Sequence, residues 1–389
     1  LYETEYVLEH QGLSDHRALS CSFPVNYDAA RREGWPPFIL DIMPAGAARK
    51  GCLEDLGLER DGQIQDWAVL LRGACNPPGN IRVLEAAAFL QPENHPGFEK
   101  EEVITREKDF IAYARDKGAP VAGTSGAHGE QPKLLLTQDA AGKWHPDGAL
   151  TDDRARRHWL VKFPRSGKRK LDLKILRNEA AYLAVAKNAG LRALEGAECI
   201  EGALFVPRFD RVAHGGGVER YGMESLASLA GLGDYGMQVK HFRLCEGFLR
   251  HVSDGLAEIK EYVFRDVLNC AMGNTDNHGR NTAVMKRSDG SMALTPLYDF
   301  APMILDADTR SRYIRWFGET TQPDWGKVAD GLVAYGIDQE ALRSCFKPWA
   351  DIVENLPDTM RRCGVDDDLV QERSSTITEV AKALRSAAL

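Results

Sequence analysis

The hydrophobic pattern of this 389-residue chain changes period near residue 225. Upstream, residues 158–163 (His-Trp-Leu-Val-Lys-Phe) alternate from side to side and predict a strand, as do the apolar runs at 134–136 and 203–206. Between them a helical pattern runs from about residue 178 to 188 and stops at Gly190. Downstream, Leu256, Ile259, Val263, Val267 and Ala271 recur at helix spacing until Gly273 ends the run. Residues 281–285 and 292–294 then read as two short strands joined across Ser288, Asp289 and Gly290, a hairpin that would return Asp299 to the side of Asp276. The rest of the chain reads as mostly helical, with Pro348 and Gly364 as breaks.

Residues 1 to about 120 mix apolar runs at 18–25 and 38–43 with turn signals at Trp35-Pro36-Pro37 and Asn76-Pro77-Pro78-Gly79, which predicts a small α/β region. Leu1 opens the chain without a methionine, in a segment read as strand, and raises the expectation of a longer gene product. The length favours two or three packed subdomains over one core. With 43% hydrophobic and 27% charged residues, the composition is that of a globular protein. No apolar run approaches the roughly 20 residues of a membrane span, and the N-terminus lacks a signal-peptide layout, so a cytoplasmic location is expected. Eight scattered cysteines without a C-x-x-C pair argue against a zinc site or a disulfide framework. A net charge of -8 disfavours direct nucleic-acid binding. The exception is a basic stretch from Arg154 to Arg177, read either as a solvated loop or as a surface for phosphate or an acidic partner.

Chemistry concentrates in Asn274-Thr275-Asp276-Asn277-His278-Gly279-Arg280-Asn281, a polar loop between a predicted helix and strand. Phosphoryl transfer needs a carboxylate to take or orient the hydroxyl proton and oxygen ligands for magnesium. Asp276 and Asn281 are five residues apart, the spacing of the corresponding pair in the protein-kinase catalytic loop. Asp299, in Leu297-Tyr298-Asp299-Phe300, stands where the hairpin would bring a second, metal-binding carboxylate. Lys162 lies among apolar neighbours in a strand, and Glu179 follows on a helix, the order of a phosphate-binding lysine and its orienting glutamate. Upstream, Gly123, Gly126 and Gly129 lead to Lys133 in a loop whose backbone amides can approach phosphate, although it is no Walker A sequence. The G-x-G-x-x-G string at 231–236 has no strand before it and is set aside.

Taken in order, the glycine-rich loop, the strand lysine, Arg208-Phe209-Asp210-Arg211, the D-x-H-x-x-N string and Tyr298-Asp299 resemble the HipA family of serine/threonine toxin kinases. The resemblance extends faintly to residues 38–46. It implies an α+β, two-lobed protein-kinase-like fold: an N-terminal α/β subdomain at 1–120, a kinase N-lobe at 121–225 and a mostly helical C-lobe at 226–389. It implies ATP and Mg2+ as cofactors, with Asp276 as catalytic base, Lys162 on the phosphates, His278 bracing the catalytic loop, and Asn281 and Asp299 on the metal. Gly123, Gly126, Gly129, Lys133 and Glu179 complete the nucleotide site, with Arg208 and Phe209 as the hinge that meets adenine and Tyr298 packing nearby. Family likeness also implies autophosphorylation at Ser125, with Thr124 second, a protein target in translation such as an aminoacyl-tRNA synthetase, and a cognate antitoxin.

Pro207 departs from the pattern, since it offers no N–H to adenine. Two other readings are open at this point. One is a small-molecule phosphotransferase of the aminoglycoside-kinase type, which would show a deep acidic pocket beside Asp276. The other is a weakly active, antitoxin-binding regulator.

Overall fold

The structure, a computed structural model, describes every residue except 30, 32, 59–61, 89–94, 107, 117–130, 235–238, 320, 321 and 389. An antiparallel five-stranded sheet comprises β1 (Lys133–Asp139), β2 (Trp144–Pro146), β3 (Ala155–Lys162), β4 (Glu198–Ile200) and β5 (Ala203–Pro207), in the order β2-β1-β3-β5-β4. Alternation divides its two faces. Leu134, Leu136, Trp159, Val161 and Phe205 pack with Val103, Phe110 and Ala114 of the Lys100–Thr105 and Lys108–Asp116 helices. Leu160, Leu204 and Val206 face the Arg169–Asn188 helix and the main core.

That helix begins well before the apolar pattern predicts. Asp172, fully buried in its first turn, accepts hydrogen bonds from Arg165 N (2.7 Å), Nε (2.9 Å) and Nη2 (2.6 Å), so charge pairing extends the helix where apolar spacing does not. Much of the basic stretch is spent in the same way. Lys162, Arg165, Lys168, Lys174 and Arg177 pair with Asp299, Asp172, Asp306, Asp368 and Asp366 respectively. These side chains form neither a solvated loop nor a patch awaiting an acidic partner.

After a small hairpin of β6 (Arg211–His214) and β7 (Gly217–Arg220), β8 (Gly222–Ser225) pairs with β9 (Ala283–Lys286), which pairs with β10 (Met292–Leu294) in the predicted hairpin. The Gly255–Met272 helix is capped by Asp254, whose carboxylate accepts from Ala257 N at 3.0 Å. It ends at Gly273, at φ 78°, a conformation glycine adopts without Cβ strain. This helix packs on the long Asp367–Ala387 helix. Pro348 does not break the C-terminal region: it lies in the first turn of the Phe346–Glu354 helix, where no backbone N–H is required. Gly364, at φ 85°, does interrupt it. No helix among the described residues is long and apolar enough to cross a membrane.

The N-terminal region corrects the α/β expectation. Among the described residues before Lys133 there are helices but no strand, and the run at 38–43 lies in the Pro37–Ile42 helix. A short run burying Phe38, Leu40 and Ile42 suits strand and helix alike, and proline at the first helical position sets the helical φ. The opening segment is likewise helical, over Thr4–His10.

Candidate functional site

The antiparallel register sets Lys133 of β1 directly opposite Lys162 of β3. Two cross-strand ammonium groups on one face repel each other unless anions lie between them. Asp299 meets that need: its Oδ1 pairs with Lys162 and its Oδ2 lies 3.7 Å from Lys133 Nζ. Lys162 also donates to Glu179 Oε1 at 2.6 Å, from a side chain only 2% exposed. Burial alone would raise the Asp299 carboxyl, yet Lys133 and Lys162 hold it well below the usual carboxylate range. Burial works against the Lys162 ammonium too, and Asp299 with Glu179 outweighs it, keeping the lysine charged. Asp299 has φ 53°, a left-handed conformation that aspartate tolerates better than most residues and that recurs at functional sites.

Above this cluster lies an open cleft of about 620 Å³. Its walls include Leu135, Leu160, Leu194, Val206, Met223 and Pro78, together with Lys133, Lys162, Glu179 and Asp299, and with Arg208, Phe209 and Tyr298. An apolar slot with paired cations in its wall suits a flat ring carrying phosphates. Phe209 and Tyr298 stand 5.7 Å apart between ring centroids. The Arg208 side chain is turned to carboxylates, its Nη2 2.6 Å from Asp210 Oδ2 and its Nη1 on Asp147. The Arg208 N–H is also committed, to His158 O at 2.9 Å, so Pro207 and Arg208 offer no backbone donor to a base.

The loop at 274–281 sits beside Asp299, linked by the Tyr298 hydroxyl, which donates to Arg280 O at 3.0 Å. Asn281 Nδ2 donates to Asp276 O at 2.9 Å and approaches Asp276 Oδ2 at 3.4 Å. This leaves Asn281 Oδ1 buried without a hydrogen-bond partner. A buried amide oxygen in that state calls for an explanation, and a hard cation supplies one. With the Asp299 carboxylate as a second oxygen ligand, these residues fit magnesium. His278 Nδ1 accepts from Arg280 N at 3.2 Å, which places the ring proton on Nε2, 3.5 Å from Asp276 Oδ1. The imidazole therefore faces the carboxylate without a hydrogen bond to it. Gly123, Thr124, Ser125, Gly126 and Gly129 lie outside the described residues.

Sequence reasoning passed over the buried support behind the loop. Asn277 Oδ1 accepts from Tyr313 N (2.9 Å) and Ile314 N (3.0 Å), while Arg312 Nη2 reaches both oxygens of Asp266 at 2.6 Å. His241 lies among Asp266, Arg312, Tyr262 and Glu319, and burial depresses its pKa to about 4 against the pull of Asp266. An unfolded imidazole titrates near 6.5, so between those values the unfolded chain binds more protons and stability falls with falling pH. The full loss for this group is about 3 kcal/mol, complete near pH 4 and absent above about pH 7. Urea unfolding at pH 7 and pH 5 should show the drop in the wild type and a smaller one in His241→Gln; equal drops would reject this origin.

Residues 125–360, well over half of the chain, match the family of HipA-like C-terminal domains. No curated protein matches the chain. Among solved structures it is similar to the Shewanella oneidensis MR-1 toxin-antitoxin system HipA, described in complex with HipB and operator DNA. Identity is 18% and the TM-score 0.65, over 89% of this chain and 84% of that one. The Helicobacter pylori proinflammatory kinase CtkA is also matched, at 16% identity and TM-score 0.38, over 64% of this chain and 97% of that one, too distant to support an argument. The Shewanella likeness is one of fold, and it agrees with the α+β architecture described above. On the span of the family match, this chain belongs to the HipA-like C-terminal domain family.

Proposed function

We propose that this chain is a kinase that transfers the γ-phosphoryl group of ATP to a serine or threonine hydroxyl of a protein, with magnesium held by Asn281 and Asp299. The observation that carries this reading is Lys162 fixed between Glu179 and Asp299 in the wall of an apolar cleft, next to the Asp276 loop. Lys162 and Lys133 neutralise phosphate oxygens. Asp276 orients the acceptor hydroxyl and takes its proton as the new oxygen–phosphorus bond forms and the bond to the departing ADP breaks. Magnesium, when bound, supplies further charge neutralisation on the phosphates.

The Shewanella HipA was described with HipB and operator DNA. By analogy we infer a cognate antitoxin for this cytoplasmic kinase. With a net charge of -8, any contact with DNA is expected through that partner. The family resemblance points to a translation component, such as an aminoacyl-tRNA synthetase, as the target.

Incubation of the protein with labelled ATP, Mg2+ and cell lysate should place label on serine or threonine of a protein acceptor. Label confined to small molecules, or absent altogether, would overturn the proposal. Intact mass after the same incubation should show added phosphate on the wild type and not on Ser125→Ala; equal uptake by both would remove Ser125 as the autophosphorylated residue.

A further inference from the structure

The loop at 274–281 is irregular backbone, so its geometry depends on what holds it. Two of its supports are the Tyr298 hydroxyl on Arg280 O and Ala227 N on Gly279 O at 3.0 Å. A third comes from the other end of the chain. The Arg280 guanidinium, almost fully buried, pairs with Asp41 of the Pro37–Ile42 helix, 239 residues earlier. Asp41 also accepts from Ser225 N at 2.9 Å and from Ser225 Oγ at 2.7 Å. Ser225 in turn caps the short Leu226–Leu229 helix, its Oγ accepting from Ser228 N at 3.0 Å. That helix carries the Ala227 N–H that holds Gly279 O. One carboxylate therefore holds the loop directly through Arg280 and indirectly through Ser225.

The same N-terminal region reaches the cleft. Pro78 lines it, and the adjacent Gly79 donates its N–H to Asp210 Oδ2 at 2.8 Å and accepts from Arg211 Nη1 at 2.7 Å.

We propose that Asp41 is a positioning residue for the 274–281 loop, which makes the Pro37–Ile42 helix a working part of the active site. The kinetic part of the test rests on the phosphotransfer reading; the structural part does not. Asp41→Asn keeps the volume and removes the charge that orients Arg280. The Arg280 guanidinium and the Ser225 helix cap both lose their carboxylate, and a loop misplaced by about an ångström can cost on the order of a hundredfold in rate.

Amide hydrogen exchange should quicken by about tenfold or more across residues 274–282 in Asp41→Asn, with the Gly255–Met272 helix unchanged. In the kinase assay kcat should fall by about tenfold to a hundredfold, with KM for ATP nearly constant, and Asp41→Glu should recover part of the loss. Asp66→Asn is the control: Asp66 pairs with Arg49 and accepts from Trp35 Nε1 at 2.8 Å, contacts within the N-terminal region that do not include the loop, and kcat should not move. Unchanged exchange in Asp41→Asn overturns the proposal, as does an equal fall of kcat in Asp66→Asn. If Asp41→Asn does not fold, Arg280→Lys, which keeps the charge and loses the guanidinium, is read in the same way. A wild type that transfers no phosphate removes the kinase reading alone, since exchange still decides the role of Asp41.

Discussion

Lys162→Met is expected to abolish phosphotransfer and to destabilise the fold by about 3–5 kcal/mol, the range for removing one partner of a buried ion pair. Activity should fall by about a hundredfold or more, because a fixed cation is lost where phosphate charge must be neutralised. The stability loss has a separate origin. Glu179 is 2% exposed, and burial already pushes its carboxyl upward against the pull of Lys162. Without that ammonium the carboxylate must stay charged in a buried site or take up a proton. Lys162→Met/Glu179→Leu separates the two effects: replacing both charges with apolar groups of similar volume should recover most of the stability and none of the activity. Urea unfolding and labelled-ATP transfer on the same preparations read both. A double variant as unstable as the single one would mean that Glu179 is not the source of the cost, and transfer by either variant at the wild-type rate would remove Lys162 from the mechanism.

Local patterns made parts of this site legible in advance. The β9–β10 hairpin followed from apolar residues flanking Ser288-Asp289-Gly290, and it accounts for the return of Asp299 to the Asp276 loop. Lys162 stood out because a lone ammonium in an apolar strand needs a partner. Lys133 was read as the end of the glycine-rich loop, but not as the residue opposite Lys162, since register between β1 and β3 depends on how the whole strands pair. Spacing of two along each strand from the lysines would have picked out Leu135 and Leu160 as cleft walls once that face was assigned.

Long-range partners account for most of what was missed. The basic stretch looked unpaired because the carboxylates that neutralise Lys168, Lys174 and Arg177 lie at Asp306, Asp368 and Asp366, far along the chain. Asp41 lay within the faint resemblance at 38–46 and Pro78 within a turn signal, but neither pointed to the site, coming from a region whose short apolar runs suit either secondary structure. Its helices became assignable only through packing, with Leu40, Ile42, Met43, Leu70 and Ala74 sharing one small core.

Asp276→Asn should show the opposite balance from Lys162→Met: a loss of turnover of about 10²–10⁴-fold, the range for removing a general base, with little change in stability. The Asp276 side chain is 22% exposed and, among the described residues, pairs with no lysine or arginine; its polar contacts are His278 Nε2 at 3.5 Å and Asn281 Nδ2 at 3.4 Å. Neither contact is short enough to contribute much to folding, so the melting temperature should stay within a few degrees, whereas Lys162→Met should lower it well beyond that. Asp276 is also absent from the walls of the cleft, so ATP affinity measured by calorimetry should be preserved. That pattern of intact fold, intact nucleotide binding and lost transfer separates a proton acceptor from a structural carboxylate. Turnover within about tenfold of the wild type would assign the proton elsewhere, and a large fall in melting temperature would mean that the carboxylate serves chiefly to hold the loop.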